Sequence, residues 1–128
     1  MKQLILIVAA SYGMISIILG AFGAHAFKEI LSVEKLQSFE VGVRYMMYSA
    51  LVLLILGFFL DFSTGIEKNA ARLIMIGSFM FSVSIYFLAF SEKLNIPSKF
   101  LGPITPVGGF LMIVGWALLL YHFIRFYK

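Results

Sequence analysis

The sequence predicts an all-α integral membrane protein, an up-down bundle of four transmembrane helices forming one domain over residues 1–128. Three observations predict it. Hydrophobic residues make up 62% of the chain and charged residues 12%, with a mean hydropathy of +1.01. Soluble domains carry about 25% charge, so a chain this apolar could not cover its own surface in water. Four apolar runs, at about 4–25, 41–60, 71–90 and 107–124, each approach the roughly 20 residues a helix needs to cross the hydrocarbon core. The links between them ("KEILSVEKLQSFE", "DFSTGIEKN" and "SEKLNIPSK") are short, which makes successive helices antiparallel neighbours.

Span one follows Lys2 and carries Ala9, Gly13, Ser16, Gly20 and Gly23 or Ala24 at steps of four and three. That spacing puts small residues on one helix face. Helices in lipid associate by close packing rather than by escape from water, and small residues permit it. Tyr12 is expected to bond across helices. Ala24-His25-Ala26 fits a signal-peptide cleavage pattern, but the apolar stretch before it exceeds the usual h-region of about 7–15 residues. A retained first span is therefore expected.

Leu36, Phe39, Val43 and Met46 recur at helical spacing between charged residues, so span two is expected to begin before the bilayer as an amphipathic turn. Gly42 marks a bend on this reading, and Gly42, Ser49, Ala50 and Gly57 supply its small residues. Arg44 stands four residues after Glu40, an ion-pairing distance on a helix. "DFSTGIEKN" reads as a turn, with Gly65 and Asn69 as breakers. Span three brings Ser78, Ser82 and Ala89, and span four Gly108 and Gly115. In "GPITPVGG" Thr105 is expected to cap the last helix, with Pro106 at its first position, where a missing N–H is harmless. Trp116, in mid-span, is expected to be packed. Tyr121 and Tyr127 suit an interfacial belt.

Net charge is +4, and the basic residues are scattered over the segment ends. No nucleic-acid motif is visible, and the pattern suits membrane headgroups instead. Lys2, Lys68, Arg72, Arg125 and Lys128 fall on one side; Lys28, Lys35, Arg44, Lys93 and Lys99 fall on the other. With the two sides equal, the positive-inside rule selects neither orientation. The free amino terminus tips the expectation to cytoplasmic termini, with dual insertion as the alternative. Cysteine is absent, which excludes disulfides and thiolate metal sites.

Topology brings the end of span one and the starts of spans two and four to one membrane face. His25, Arg44, Tyr45, Tyr48, Ser49, Thr105 and Pro106, with Gly20 and Gly23, therefore form the candidate partner- or ligand-binding site. His25 reads first as a hydrogen-bonding cap. His25 and His122 end spans on opposite faces, roughly 30 Å apart, and so cannot share a haem. No metal site and no cofactor is expected.

Three motifs in order, "GAFGAH" at 20–25, the Tyr45–Ser49 stretch and "GPITPVGG" followed by Gly115-Trp116, resemble the YgdD/YwdK-like family of small multi-pass membrane proteins, domain-of-unknown-function family 423. The resemblance covers nearly the whole chain. The family pattern in span two reads like Tyr-Gln-Met-Tyr-His. Here Met46 replaces the glutamine and Ser49 the histidine, so a mechanism needing that second histidine is not expected of this chain. The resemblance implies four spans and an inner-membrane location, and no agreed activity.

The preferred reading is a non-enzymatic protein that serves a larger membrane complex or envelope integrity. Its expected partners are the lipid bilayer and that complex, and the small-residue faces also allow a homo-oligomer. The alternative is lipid, ion or small-molecule binding or transport through the His25/Arg44/Thr105 end. An enzyme is least favoured: the nearest group is His25 with Ser49 and Tyr48, and no acid orients it except Glu40 or Glu92.

Overall fold

A computed structural model describes residues 1–126. Tyr127, expected in the interfacial belt, and Lys128 lie outside the described residues. Seven helices follow in order: α1 (Lys2–Ala24), α2 (Ala26–Ile30), α3 (Val33–Phe59), α4 (Gly65–Ala89), α5 (Ser91–Leu94), α6 (Ser98–Leu101) and α7 (Ile104–Arg125). Helices α1, α3, α4 and the stretch Ser98–Arg125 are long and apolar enough to cross a membrane. At 1.5 Å per residue the 23 residues of α1 span about 35 Å, enough for the hydrocarbon core.

Residue contacts show the up-down course. A Cβ on Gly23 would touch Phe39, and one on Gly57 would meet Leu6, so α1 and α3 run antiparallel. The Ser82 hydroxyl donates to the Gly42 carbonyl at 2.7 Å, and Thr105 and Ser84 share a hydrogen bond at 2.6 Å. Thus α4 runs antiparallel to both α3 and α7. The strongest packing is α4 on α7, followed by α1 on α3 and α3 on α4, while α1 meets α4 only lightly. The bundle is two tight hairpins, α1/α3 and α4/α7, joined along α3 and α4.

Backbone proximity explains the α4/α7 seam. A Cβ on Gly108 would lie 2.5 Å from the Phe81 nitrogen and 2.7 Å from the Gly77 oxygen. One on Gly115 would lie 3.1 Å from the Ala70 oxygen. Only glycine lets these backbones come so close. Buried residues of α7 follow the seam as Gly108, Met112, Gly115, Leu119 and His122, steps of four and three. The large outward side chains, among them Phe58, Phe59, Phe110 and Ile113, face lipid.

Hydroxyls knit the middle of the bundle. Tyr12 donates across to the Met75 carbonyl at 2.7 Å, the interhelical bond expected of it. Such bonds in a membrane are worth about 0.6 kcal/mol on average and up to about 1.7. Tyr12→Phe is accordingly expected to lower stability by about 1 kcal/mol, read as a shifted midpoint of SDS unfolding in mixed micelles.

Several local expectations need correction. "DFSTGIEKN" is only half turn. Thr64 caps α4, accepting from the Glu67 N–H at 3.2 Å, and the Glu67 carboxylate returns bonds to Ser63 and Thr64 N–H at 2.8 and 3.4 Å. This capping box starts the helix at Gly65, so neither Gly65 nor Asn69 breaks it. Gly42 sits inside unbroken α3, against Tyr86. Thr105 is not the cap of α7; Pro103 holds that position without a side-chain bond. Pro106 therefore stands third in the helix, still within the first turn where a missing N–H is tolerated. Trp116 is 54% exposed rather than packed.

The α3–α4 connection carries one unusual residue. Phe62 has φ of 53° and is 4% exposed. A left-handed backbone costs a residue with a Cβ about 1–2 kcal/mol. Burying a phenylalanine ring from the aqueous edge returns about 1.5–3 kcal/mol, which offsets it.

Candidate functional site

His25, Arg44 and Thr105 lie toward one end of the bundle while Ser49 lies farther in beside Met112, and the expected group falls into separate places. His25 joins α1 to α2 and is exposed, with its backbone N–H bonded to the Phe22 carbonyl. Behind it the ground between helices is filled by rings. Phe27 of α2 packs edge-on to Phe39 at 5.4 Å and to Phe90 at 4.9 Å, and Phe39 lies 5.0 Å from Tyr86. Gly23 lies against Phe39. This aromatic plug closes the α1/α3/α4 end and keeps His25 outside it.

Thr105 is removed from His25 for a second reason. It belongs to α7, which packs on α4 while α1 packs on α3. Its hydroxyl is engaged by Ser84. Pro106 is exposed beside it. The expected meeting of the first span's tail with the fourth span's start therefore does not occur, although both lie at the same rim. Lys35 and Glu92 pair at 3.1 Å and tie the start of α3 to α5 at that rim.

Two grooves divide the remaining candidates. Gly20 and Arg44 line a shallow groove of about 270 Å³ between α1 and α3, with Glu40 and Val43. Among the described residues Arg44 has no ion-pair partner within 4.0 Å, so the expected Glu40–Arg44 pair is not formed. Both residues are exposed. Tyr45, Tyr48 and Ser49 instead line a groove of about 400 Å³ between α3, α4 and α7, facing Phe81, Gly109, Met112 and Trp116. The Tyr45 ring meets Tyr48 at 5.7 Å and Phe81 at 5.3 Å, both edge-on.

At the opposite end lies a pair that sequence reasoning missed. His122 Nε2 stands 3.3 Å from Glu67 Oε1, with side-chain exposures of 7% and 8%. One carboxylate oxygen caps the α4 backbone while the other takes the imidazole of α7. The carboxylate sits at a helix N-terminus, where the helix dipole favours an anion, and the histidine lies in the last turn of α7. His122 Nδ1 is buried without a partner, and the ring lies beside Phe126. The signal for half of this is present in the chain: Thr64-Gly65-Ile66-Glu67 has capping-box spacing. Among the described residues no cluster of three or more His, Asp or Glu could hold a metal ion.

Four membrane-length helices, short connections and polar side chains directed mainly at neighbouring helices define a small multi-pass membrane bundle. Residues 19–109 match the family model described as "Protein of unknown function (DUF423)". The chain belongs to this family. It is 36% identical to a "UPF0382 membrane protein" of Staphylococcus epidermidis, over 97% of this chain and 98% of the relative. It is 32% identical to "UPF0382 membrane protein YwdK" of Bacillus subtilis, over 97% and 98%. A fission-yeast relative, "UPF0382 membrane protein C1782.12c" of Schizosaccharomyces pombe, is 34% identical over 88% and 95%. No solved structure matches.

Proposed function

We propose that this chain is an accessory component of a larger assembly in the inner (cytoplasmic) membrane, acting by packing rather than by catalysis, with both termini in the cytoplasm. One observation carries the reading: four polar contacts inside the bundle join one helix to the next. Tyr12 to Met75, Ser82 to Gly42, Ser84 with Thr105 and Glu67 with His122 all join different helices. The histidine and arginine of the candidate site stand apart at the surface instead of around a shared reacting atom. A compact body with short loops and an apolar periphery suits a partner that is itself embedded in lipid.

The test is photo-crosslinking in the native membrane from outward positions such as Ile17 and Phe110, which are 66% and 63% exposed. The expected result is a discrete adduct with one other membrane protein at native expression. Recovery of lipid adducts or self-adducts alone, together with unchanged envelope-stress signalling after deletion, would refute the proposal.

A further inference from the structure

The groove between α3, α4 and α7 has features that helix packing does not require. We propose that it binds a lipid-soluble quinone: a neutral, flat head bearing hydrogen-bond acceptors, with an apolar tail.

Charge comes first. Among the described residues, no Lys, Arg, His, Asp or Glu lines this groove. Arg44 directly precedes Tyr45 but lines the separate α1/α3 groove. A charged headgroup would find no counter-charge here, so the complementary occupant is uncharged.

Hydrogen bonding narrows the class. Ser49 is 7% exposed, and its hydroxyl has as its partner the Met112 sulfur at 3.9 Å, a weak acceptor. Among the described residues the Tyr45 and Tyr48 hydroxyls make no hydrogen bond, although both residues lie inside a membrane helix. Three residues bearing O–H groups, Tyr45, Tyr48 and Ser49, thus line one wall, with the two tyrosines 45% and 54% exposed. A hydrocarbon chain offers them nothing. The carbonyl oxygens of a quinone accept from them.

Shape and depth agree. The rings of Tyr45, Phe81 and Trp116 line the cleft, and Gly109 leaves its wall open. Aromatic surfaces favour a flat head in stacked or edge-on contact. The volume of about 400 Å³ falls in the range of small-molecule sites, roughly 300–1,000 Å³. From Gly109 to Trp116 the helix rises about 10 Å. The head would sit near the tyrosines, below the rim, and the tail would leave past Trp116 into the bilayer.

Trp116 is the chain's single tryptophan and therefore a built-in reporter. The experiment titrates a decyl-substituted benzoquinone into the full chain in phosphatidylcholine nanodiscs and follows tryptophan emission. Saturable quenching is expected. Ser49→Ala should weaken the apparent affinity roughly three- to tenfold through the loss of one hydrogen bond. Gly109→Leu should abolish the saturable component by filling the cleft. A Cβ at Gly109 meets only Phe81 ring carbons, at 3.6 and 3.8 Å, which is ordinary contact. Circular dichroism and the unfolding midpoint check that both variants remain folded.

Quenching that rises linearly with bilayer quinone, without saturation, would show simple partitioning and overturn the proposal. So would equal displacement by decylbenzene, which has no acceptor and would mark the groove as a resting place for hydrocarbon chains. Unchanged saturation in folded Ser49→Ala and Gly109→Leu proteins would also overturn it. None of these results depends on the crosslinking outcome for the accessory role.

Discussion

Gly108→Leu is expected to separate α4 from α7 and lower stability by about 3 kcal/mol or more. Overpacking a closely fitted interior usually costs about 1–3 kcal/mol, because flexible side chains can move aside. Here the first added carbon meets backbone: the Phe81 nitrogen at 2.5 Å and the Gly77 oxygen at 2.7 Å. Neither can shift without moving the whole helix. Splaying the pair would also break the Ser84–Thr105 bond near the same end. Gly109→Ala is the matched control, since its Cβ has room beside the Phe81 ring. It should be neutral or stabilising by up to about 1 kcal/mol through helix propensity. SDS unfolding in mixed micelles, followed by circular dichroism, measures both. Equal midpoints for the two variants would contradict the close-backbone account.

Glu67→Ala is expected to cost about 3 kcal/mol or more, since each buried donor left without its acceptor costs about 1–3 kcal/mol. The substitution strips partners from three groups at once: Ser63 N–H, Thr64 N–H and His122 Nε2. Glu67→Gln retains an acceptor oxygen and nearly the same volume, so it should cost less than half as much. His122→Ala leaves the α4 capping box intact and should fall between the two. A double-mutant cycle on Glu67 and His122 isolates their coupling, which should exceed about 1 kcal/mol for residues in direct contact. Additive effects would mean that Glu67 matters only as a cap.

These two effects arise from residues that are unequally legible in the sequence. The glycines at 108 and 115 are legible as packing residues, because small side chains at repeated spacing in an apolar run have few other uses in a membrane. Which helix they face is not legible, since spans two and three also carry small residues. Glu67 is readable as part of a capping box, but Gly65 and Asn69 on either side make the whole segment resemble a turn. Its link to His122 joins positions 55 residues apart, and no local pattern encodes it. Tyr12 is expected to bond across helices, and the fold supplies the acceptor, a carbonyl on α4.

The candidate site shows the same division. Antiparallel topology correctly sends His25, Arg44 and Thr105 to one rim. Sharing a rim is weaker than sharing a site, however. Phe27, Phe39 and Phe90 pack into the space between, and α7 docks on α4 instead of α1. Tyr45, Tyr48 and Ser49 stay together because they lie within about one turn of a single helix. Their facing partners, Gly109, Met112 and Trp116, follow from the way α7 settles against its neighbours.

By itself the sequence determined that this chain lives in a membrane, how many times it crosses, and that its helices alternate in direction. Those properties depend on the length and polarity of contiguous segments, which each segment carries alone. The tertiary structure decided which helix lies beside which, where Glu67 meets His122 and which side chains share a groove. Lipid tails solvate apolar side chains about as well as a neighbouring helix does. The arrangement is therefore selected by close backbone approach and by individual hydrogen bonds, and these exist only after distant parts of the chain have come together.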